Sequence, residues 1–177
     1  MNKRSTLTIT YSALCLALAL ALPFLTGQIP QIGKALAPMH IAVFLCGFVC
    51  GWPWGLAVGF IAPLLRSAIF GFPILFPEAT SMAFELAVYG FLSGLLYKRL
   101  PKKPLYIYVA LLVSMVSGRL VWGLVRYFLA GIAKSAFPFS TFWAGAVANA
   151  VPGIILHIVL IPLLVLALKK ANVILND

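Results

Sequence analysis

The chain has 177 residues, of which 63% are hydrophobic and 9% charged, and it carries a net charge of +10. A soluble domain is about 25% charged, so this composition excludes a soluble globular protein and points to an integral membrane protein. At about 20 apolar residues per span, the length holds roughly six spanning helices and no separate soluble enzyme module, so residues 1–177 read as one transmembrane domain.

The apolar runs divide at turn signals. Helix one is predicted over residues 7–25 and ends at TGQIPQ. It follows MNKR, but the run exceeds the usual core of a cleavable signal, which predicts a retained helix. Helices two and three are predicted over 36–51 and 54–71, split by GWPWG. Helix four, 79–97, follows FPILFPE; helix five, 105–129, follows KRLPKKP; helix six, 140–168, ends at Lys169 and Lys170. Pro63, Pro152 and Pro162 fall inside helices, where a kink or break is expected. Helix two is short for a span, so little tilt or partial shielding by protein is expected. The predicted fold class is all-α, a bundle of six transmembrane helices.

Basic residues cluster at Lys3/Arg4, Lys98/Arg99/Lys102/Lys103 and Lys169/Lys170, each beside an apolar run. That is the distribution of juxtamembrane anchoring, and it argues against nucleic-acid binding as the source of the charge. The positive-inside rule places both termini and the 98–103 loop in the cytoplasm. Four spans before the basic loop and two after it are both even, so charge and helix count agree. Cys15, Cys46 and Cys50 all lie in apolar runs, which predicts small residues packing between helices instead of a disulfide framework or a metal site. Trp52, Trp54, Trp143 and Tyr127 lie near predicted interfaces and read as belt residues.

Topology converts position into depth at about 1.5 Å per helical residue. Arg66, Glu85, Arg126, His40 and Asn149 fall in the outer half of the bundle by this measure, with Arg119 near the middle and His157 deeper. A charge in hydrocarbon costs several kcal/mol, so such groups face the bundle interior and find partners. Arg119, Trp122 and Arg126 follow i, i+3, i+7 spacing and share one helix face, and Trp122 lies deep enough to stack on a ligand. One carboxylate, Glu85, cannot neutralise three arginines. The expectation is a polar substrate cavity in which Arg66, with Arg119 or Arg126, holds an anionic group while Glu85 orients an arginine. The plainer alternatives are an Arg66–Glu85 ion pair locking two helices, Arg126 reaching the outer headgroups, and His157 as a hydrogen-bonded core histidine. A neutral ligand is the outcome if Glu85 neutralises one arginine and the others are structural. In helix one, Ala13, Ala17 and Ala21 form a stripe of small residues, which suits either internal packing or close approach of a partner helix.

The length, the six spans, the alanine stripe and the run PMHIAVFLCGFVCGWPWGLAVGFIAPLLRS resemble the substrate-binding S-component of an energy-coupling factor (ECF) vitamin transporter, including its pantothenate-type group. The resemblance implies a binding subunit, not an enzyme, in a prokaryotic plasma membrane. It implies capture of a vitamin at the outer face, best matched by an anionic, pantothenate-like molecule. It further implies toppling against a transmembrane coupling subunit that the first-helix alanines contact, driven by two cytoplasmic ATPase subunits. The chain has no G-x-x-x-x-G-K-[ST] loop, so ATP is expected to be used by those partners and no cofactor by this chain. A stand-alone small-solute transporter or channel working as an oligomer is the alternative. A lipid-acting membrane enzyme is disfavoured, because a single buried glutamate supplies no acid–base pair. Cysteines placed in the 98–103 loop will react with a membrane-impermeant thiol reagent only from the cytoplasmic side, and cysteines near Glu78 only from outside. The reverse pattern would invert the depth assignment.

Overall fold

Proline and glycine set most of the helix boundaries. The computed structural model describes residues 3–26, 36–146 and 148–176, and no strand occurs among them. Helix α1 runs Lys3–Ala21 and continues into a 3-10 turn, Leu22–Thr26. It is followed by α2 (Pro38–Cys50), α3 (Trp52–Phe70), α4 (Thr80–Arg99) and α5 (Pro104–Ile132). The last apolar segment is divided into α6 (Phe139–Ala146) and α7 (Val151–Lys170). Helices α2, α3, α5 and α7 each carry a proline at the first or second helical position, where no N–H is needed. Pro152 is the α7 example, so the predicted single helix over 140–168 is instead interrupted before it, with a 3-10 turn at Ala148–Ala150. Pro63 and Pro162, where a kink or break was equally expected, lie inside helices that run through them.

Among the described residues, five segments are long and apolar enough to cross a membrane: Arg4–Leu25, Trp52–Phe70, Leu75–Arg99, Pro104–Ile132 and Phe139–Lys170. Helix α2 has only 13 residues. That is about 20 Å, short of the ~30 Å hydrocarbon core. Every α2 residue except Leu45 is buried, so protein, not lipid, surrounds it. It packs on α1, α3, α4 and α7, while α4 packs on α2, α3 and α5. The core between them includes Phe44, Phe48, Leu86, Tyr89, Leu111 and Ile161.

Close backbone approach is what lets α2, α3 and α4 meet. A Cβ added to Gly90 would overlap the Gly55 carbonyl, and one on Gly55 would overlap the Gly90 carbonyl. A Cβ on Gly94 would lie 2.7 Å from the Gly47 carbonyl. Helix backbones touch here with no side chain between them, the geometry that small residues permit in membranes. The α2–α3 turn is a single residue, Gly51, at φ +95°, a conformation glycine adopts without steric cost.

The basic clusters gather at one end. Arg4 Nη2 donates to the Leu175 carbonyl at 2.7 Å, and Lys169 Nζ donates to the Lys102 carbonyl at 3.0 Å. The segment after α7 tucks under the bundle: Leu175 N–H donates to the Val49 carbonyl at 2.9 Å and Asn176 Nδ2 to the Gly94 carbonyl at 2.9 Å. The described chain ends and the 98–103 loop therefore share one face of the molecule.

At the opposite end Arg66 ties α3 to α1. It is 2% exposed. Its Nη1 donates to the Leu20 carbonyl in the last turn of α1, and its guanidinium lies 5.0 Å from the Phe24 ring and 5.1 Å from the Phe70 ring. The negative end of a helix and two aromatic faces receive the positive charge without a carboxylate. Arg66, the one charged residue of the apolar run APLLRSAIFG, is thus accommodated by a backbone carbonyl and two rings.

Two stability measurements in detergent test this account. Gly90→Ala will destabilise the protein by about 1–3 kcal/mol, because the new methyl meets backbone that cannot rotate away. Arg66→Ala will cost about 1.5–3 kcal/mol, and Arg66→Lys will recover only part of it, since an ammonium cannot spread across both rings. A Gly90→Ala protein that melts like the parent would refute the backbone contact; an unchanged Arg66→Ala would refute the α1–α3 tie.

Candidate functional site

Four helices bring polar side chains to one buried carboxylate. Glu85, in the second turn of α4, is 1% exposed. Tyr89, one turn further along α4, donates its Oη–H to Glu85 Oε1 at 2.7 Å. Arg119 Nη1 reaches the same oxygen from α5 at 3.0 Å. His40 Nε2, from the first turn of α2, lies 3.8 Å from it. His157, from α7, stacks on His40 with ring centroids 5.8 Å apart and planes 18° apart. Phe44, one turn after His40, stacks on Tyr89 at 4.7 Å and meets His157 at 6.2 Å.

Local sequence explains how the groups meet. Glu85 and Tyr89 are an i, i+4 pair, so both side chains lie on the face of α4 toward α2 and α5. Gly118 precedes Arg119, and a Cβ there would overlap the Tyr89 ring. The missing side chain lets the ring lie against α5 and leaves Arg119 room to reach Glu85. Removing either partner of the Glu85–Arg119 pair would leave an uncompensated buried charge, costing about 3–5 kcal/mol.

The cluster also holds polar capacity that the protein does not use. Among the described residues, His40 Nδ1, His40 Nε2 and His157 Nε2 are buried without a hydrogen-bond partner. Buried polar atoms are nearly always paired, so these atoms on two adjoining rings could receive a further hydrogen-bonding group.

A second assembly lies nearer the end of the bundle. Arg126 Nη2 pairs with Glu78 Oε1 at 3.3 Å, and its guanidinium lies 5.8 Å from the Trp122 ring and 5.9 Å from the Phe137 ring. Trp122 stacks on Phe142 of α6 at 6.3 Å and meets Phe137 edge-on at 6.1 Å. A hollow of about 340 Å³ adjoins it, lined by Tyr127, Ser135 and Phe137 among others. A larger open cleft, about 570 Å³, lies at the other end of the molecule beside Arg4, Thr8, Trp52 and Lys98.

The expected arginine cluster does not form. Arg119, Trp122 and Arg126 share a face of α5 as their spacing predicts, but Arg119 takes Glu85 whereas Arg126 takes Glu78. The proposed Arg66–Glu85 pair is absent, because Arg66 turns to the end of α1. Of the predicted site residues, the structure brings together His40, Glu85 and Arg119; it places Trp122 and Arg126 in the second assembly and Arg66 outside both. Asn149 lies in the 3-10 turn before α7, and its side chain is outside the described residues. Sequence reasoning missed Tyr89 and Phe44, although E-x-x-x-Y and H-x-x-x-F at helical spacing were both present. It also set His157 aside as a core histidine, whereas it adjoins His40.

Helix α1 stands apart from this chemistry. Ser12, Cys15 and Ala19 pack inward, whereas Ala13, Ala17 and Ala21 are exposed. The alanine stripe therefore faces away from the rest of the bundle. The three cysteines are free and buried.

The family model described as "ECF transporter, substrate-specific component" matches residues 7–165, from the early turns of α1 into the last turns of α7. No curated protein and no solved structure matches the chain. The matched region spans every helix of the polar cluster and the alanine face of α1, and the chain belongs to the substrate-specific components of ECF transporters.

Proposed function

We propose that this subunit captures a vitamin or related micronutrient at the polar cluster and delivers it by toppling in the membrane against a transmembrane coupling subunit. As a multi-pass component of an ECF transporter it works with partner subunits, and its family is one of transport components, not of enzymes. In the proposed cycle, ATP is hydrolysed by two cytoplasmic ATPase partners in a prokaryotic cell, and the coupling subunit docks on α1. The basic end faces the cytoplasm, which puts the Glu85 cluster in the outer half.

The observation that supports this reading best is the division of labour between helices. The polar groups come from α2, α4, α5 and α7, while α1 turns a flat alanine face outward. A protein built this way can bind a molecule in its interior and a partner helix on its flank at the same time. Small residues let that helix approach to backbone distance, where van der Waals contact drives association in lipid.

Ala13→Leu combined with Ala17→Leu will abolish co-purification with the coupling subunit and uptake into cells. The isolated double variant will keep the parent's melting temperature and its co-purifying small molecule, because neither position touches the cluster. Normal assembly and uptake by the double variant would show that the partner docks elsewhere.

A further inference from the structure

The charge pairing at the cluster specifies what kind of molecule fits there. We propose that the captured substrate is uncharged, a polar compound recognised through hydroxyl, amide or ring-nitrogen groups; the inference rests on the substrate-capture reading above. The expectation of an anionic, pantothenate-like substrate depended on arginines without partners. Each of the three now has one: Arg119 holds Glu85 at 3.0 Å, Arg126 holds Glu78 at 3.3 Å, and Arg66 is directed at the Leu20 carbonyl between two phenylalanine rings.

An anion at the cluster would meet the wrong field. To reach Arg119 it must approach the Glu85 carboxylate, 3.0 Å from that guanidinium and 3.8 Å from His40 Nε2. At 1% exposure Glu85 is out of reach of solvent screening, so the repulsion acts at low dielectric. If the anion instead displaced Glu85 from Arg119, it would strand the carboxylate. Arg126 retains one buried nitrogen without a partner, Nη1, but its charge is already balanced by Glu78.

The unused capacity has a different character. His40 and His157 are 5% and 3% exposed, and between them they offer His40 Nδ1 and His157 Nε2 without a hydrogen-bond partner among the described residues, while His40 Nε2 has only Glu85 Oε1, 3.8 Å away. A neutral imidazole carries one donor and one acceptor. Two adjoining imidazoles therefore complement a group that both donates and accepts, such as a hydroxyl, a carboxamide or a ring N–H beside a ring nitrogen. A carboxylate or phosphate only accepts. The surrounding Phe44 and Tyr89 rings add apolar surface suited to an uncharged molecule.

The test uses the purified full chain in detergent. Small molecules released from it by denaturation are identified by mass spectrometry and their charge at neutral pH determined by electrophoresis. Calorimetry then compares matched neutral and anionic compounds: panthenol with pantothenate, nicotinamide with nicotinate, and pyridoxine with 4-pyridoxate. The released molecule will be uncharged, and in any pair that binds, the neutral member will bind roughly 100-fold tighter, since like charges placed together cost several kcal/mol. Glu85→Gln will narrow or invert that preference by leaving Arg119 unopposed. The comparison on the parent protein stands alone if this variant does not fold. A released molecule with a net charge of either sign, or an anion bound as tightly as its neutral match, would overturn the proposal and leave substrate capture intact. No released molecule and no binding heat with any compound would overturn both.

Discussion

One carboxylate organises the middle of this bundle. Glu85 is ionisable, nearly inaccessible and surrounded by apolar helices, so it can persist only if its charge is answered on the spot. Arg119 answers the charge, Tyr89 supplies an O–H donor, and His40 stands close by. Because these come from α2, α4 and α5, the carboxylate fixes how three helices rotate about their own axes. Apolar packing alone tolerates several rotations; a shared hydrogen-bonded oxygen tolerates few.

Glycine makes the arrangement reachable. His40 sits on α2, which is too short to span, and it meets α4 only because α2, α3 and α4 cross at backbone contact through Gly47, Gly55, Gly90 and Gly94. Side chains at those positions would hold the helices apart and carry His40 away from Glu85. The polar cluster and the glycine crossing are thus two parts of one device, the second setting the distance at which the first can form. That is also why α2 can be short: its termini end against protein, and its backbone never needs lipid-length coverage.

Much of this was legible in the sequence. Hydropathy and turn residues gave the spans to within a few residues, the basic clusters fall at one end of the molecule as predicted, and helical spacing put Arg119 and Arg126 on one face. The break near Pro152 was indicated, although its extent was not. Depth, however, does not give azimuth. Arg66 and Glu85 sit at comparable depths, yet Arg66 points at α1, because the end of α1 offers a carbonyl and Phe24. A finer signal was present and went unread. Glu78 and Glu85 are seven residues apart along α4 and the turn before it, and Arg119 and Arg126 are seven apart along its antiparallel neighbour α5, each interval about 10 Å. In antiparallel neighbours equal intervals form a ladder, so Glu85 takes Arg119 and Glu78 takes Arg126. Asn149 shows the other limit, since its role turns on a side chain outside the described residues.

The placement of α1 bears on how the proposed binding at the cluster and the proposed partner contact would communicate. Its inward face packs chiefly on α2 and α3, and its outward face carries the alanines. It contributes no side chain to the Glu85 cluster, so any effect of a bound molecule on the flank of α1 has to pass through α2, which carries His40, or through α3, which carries Arg66. These two routes differ in stiffness. Helix α2 is buried almost throughout and joined to α3 by one glycine, so it moves only with its neighbours. The Arg66 tie holds the C-terminal end of α1 through one hydrogen bond and two ring faces. It is the more yielding joint, because a guanidinium can slide across an aromatic face at little cost while a glycine-packed backbone cannot move without its partner. Movement of α1 relative to the bundle would therefore begin at its Arg66 end, with the α2–α3–α4 crossing as the fixed frame.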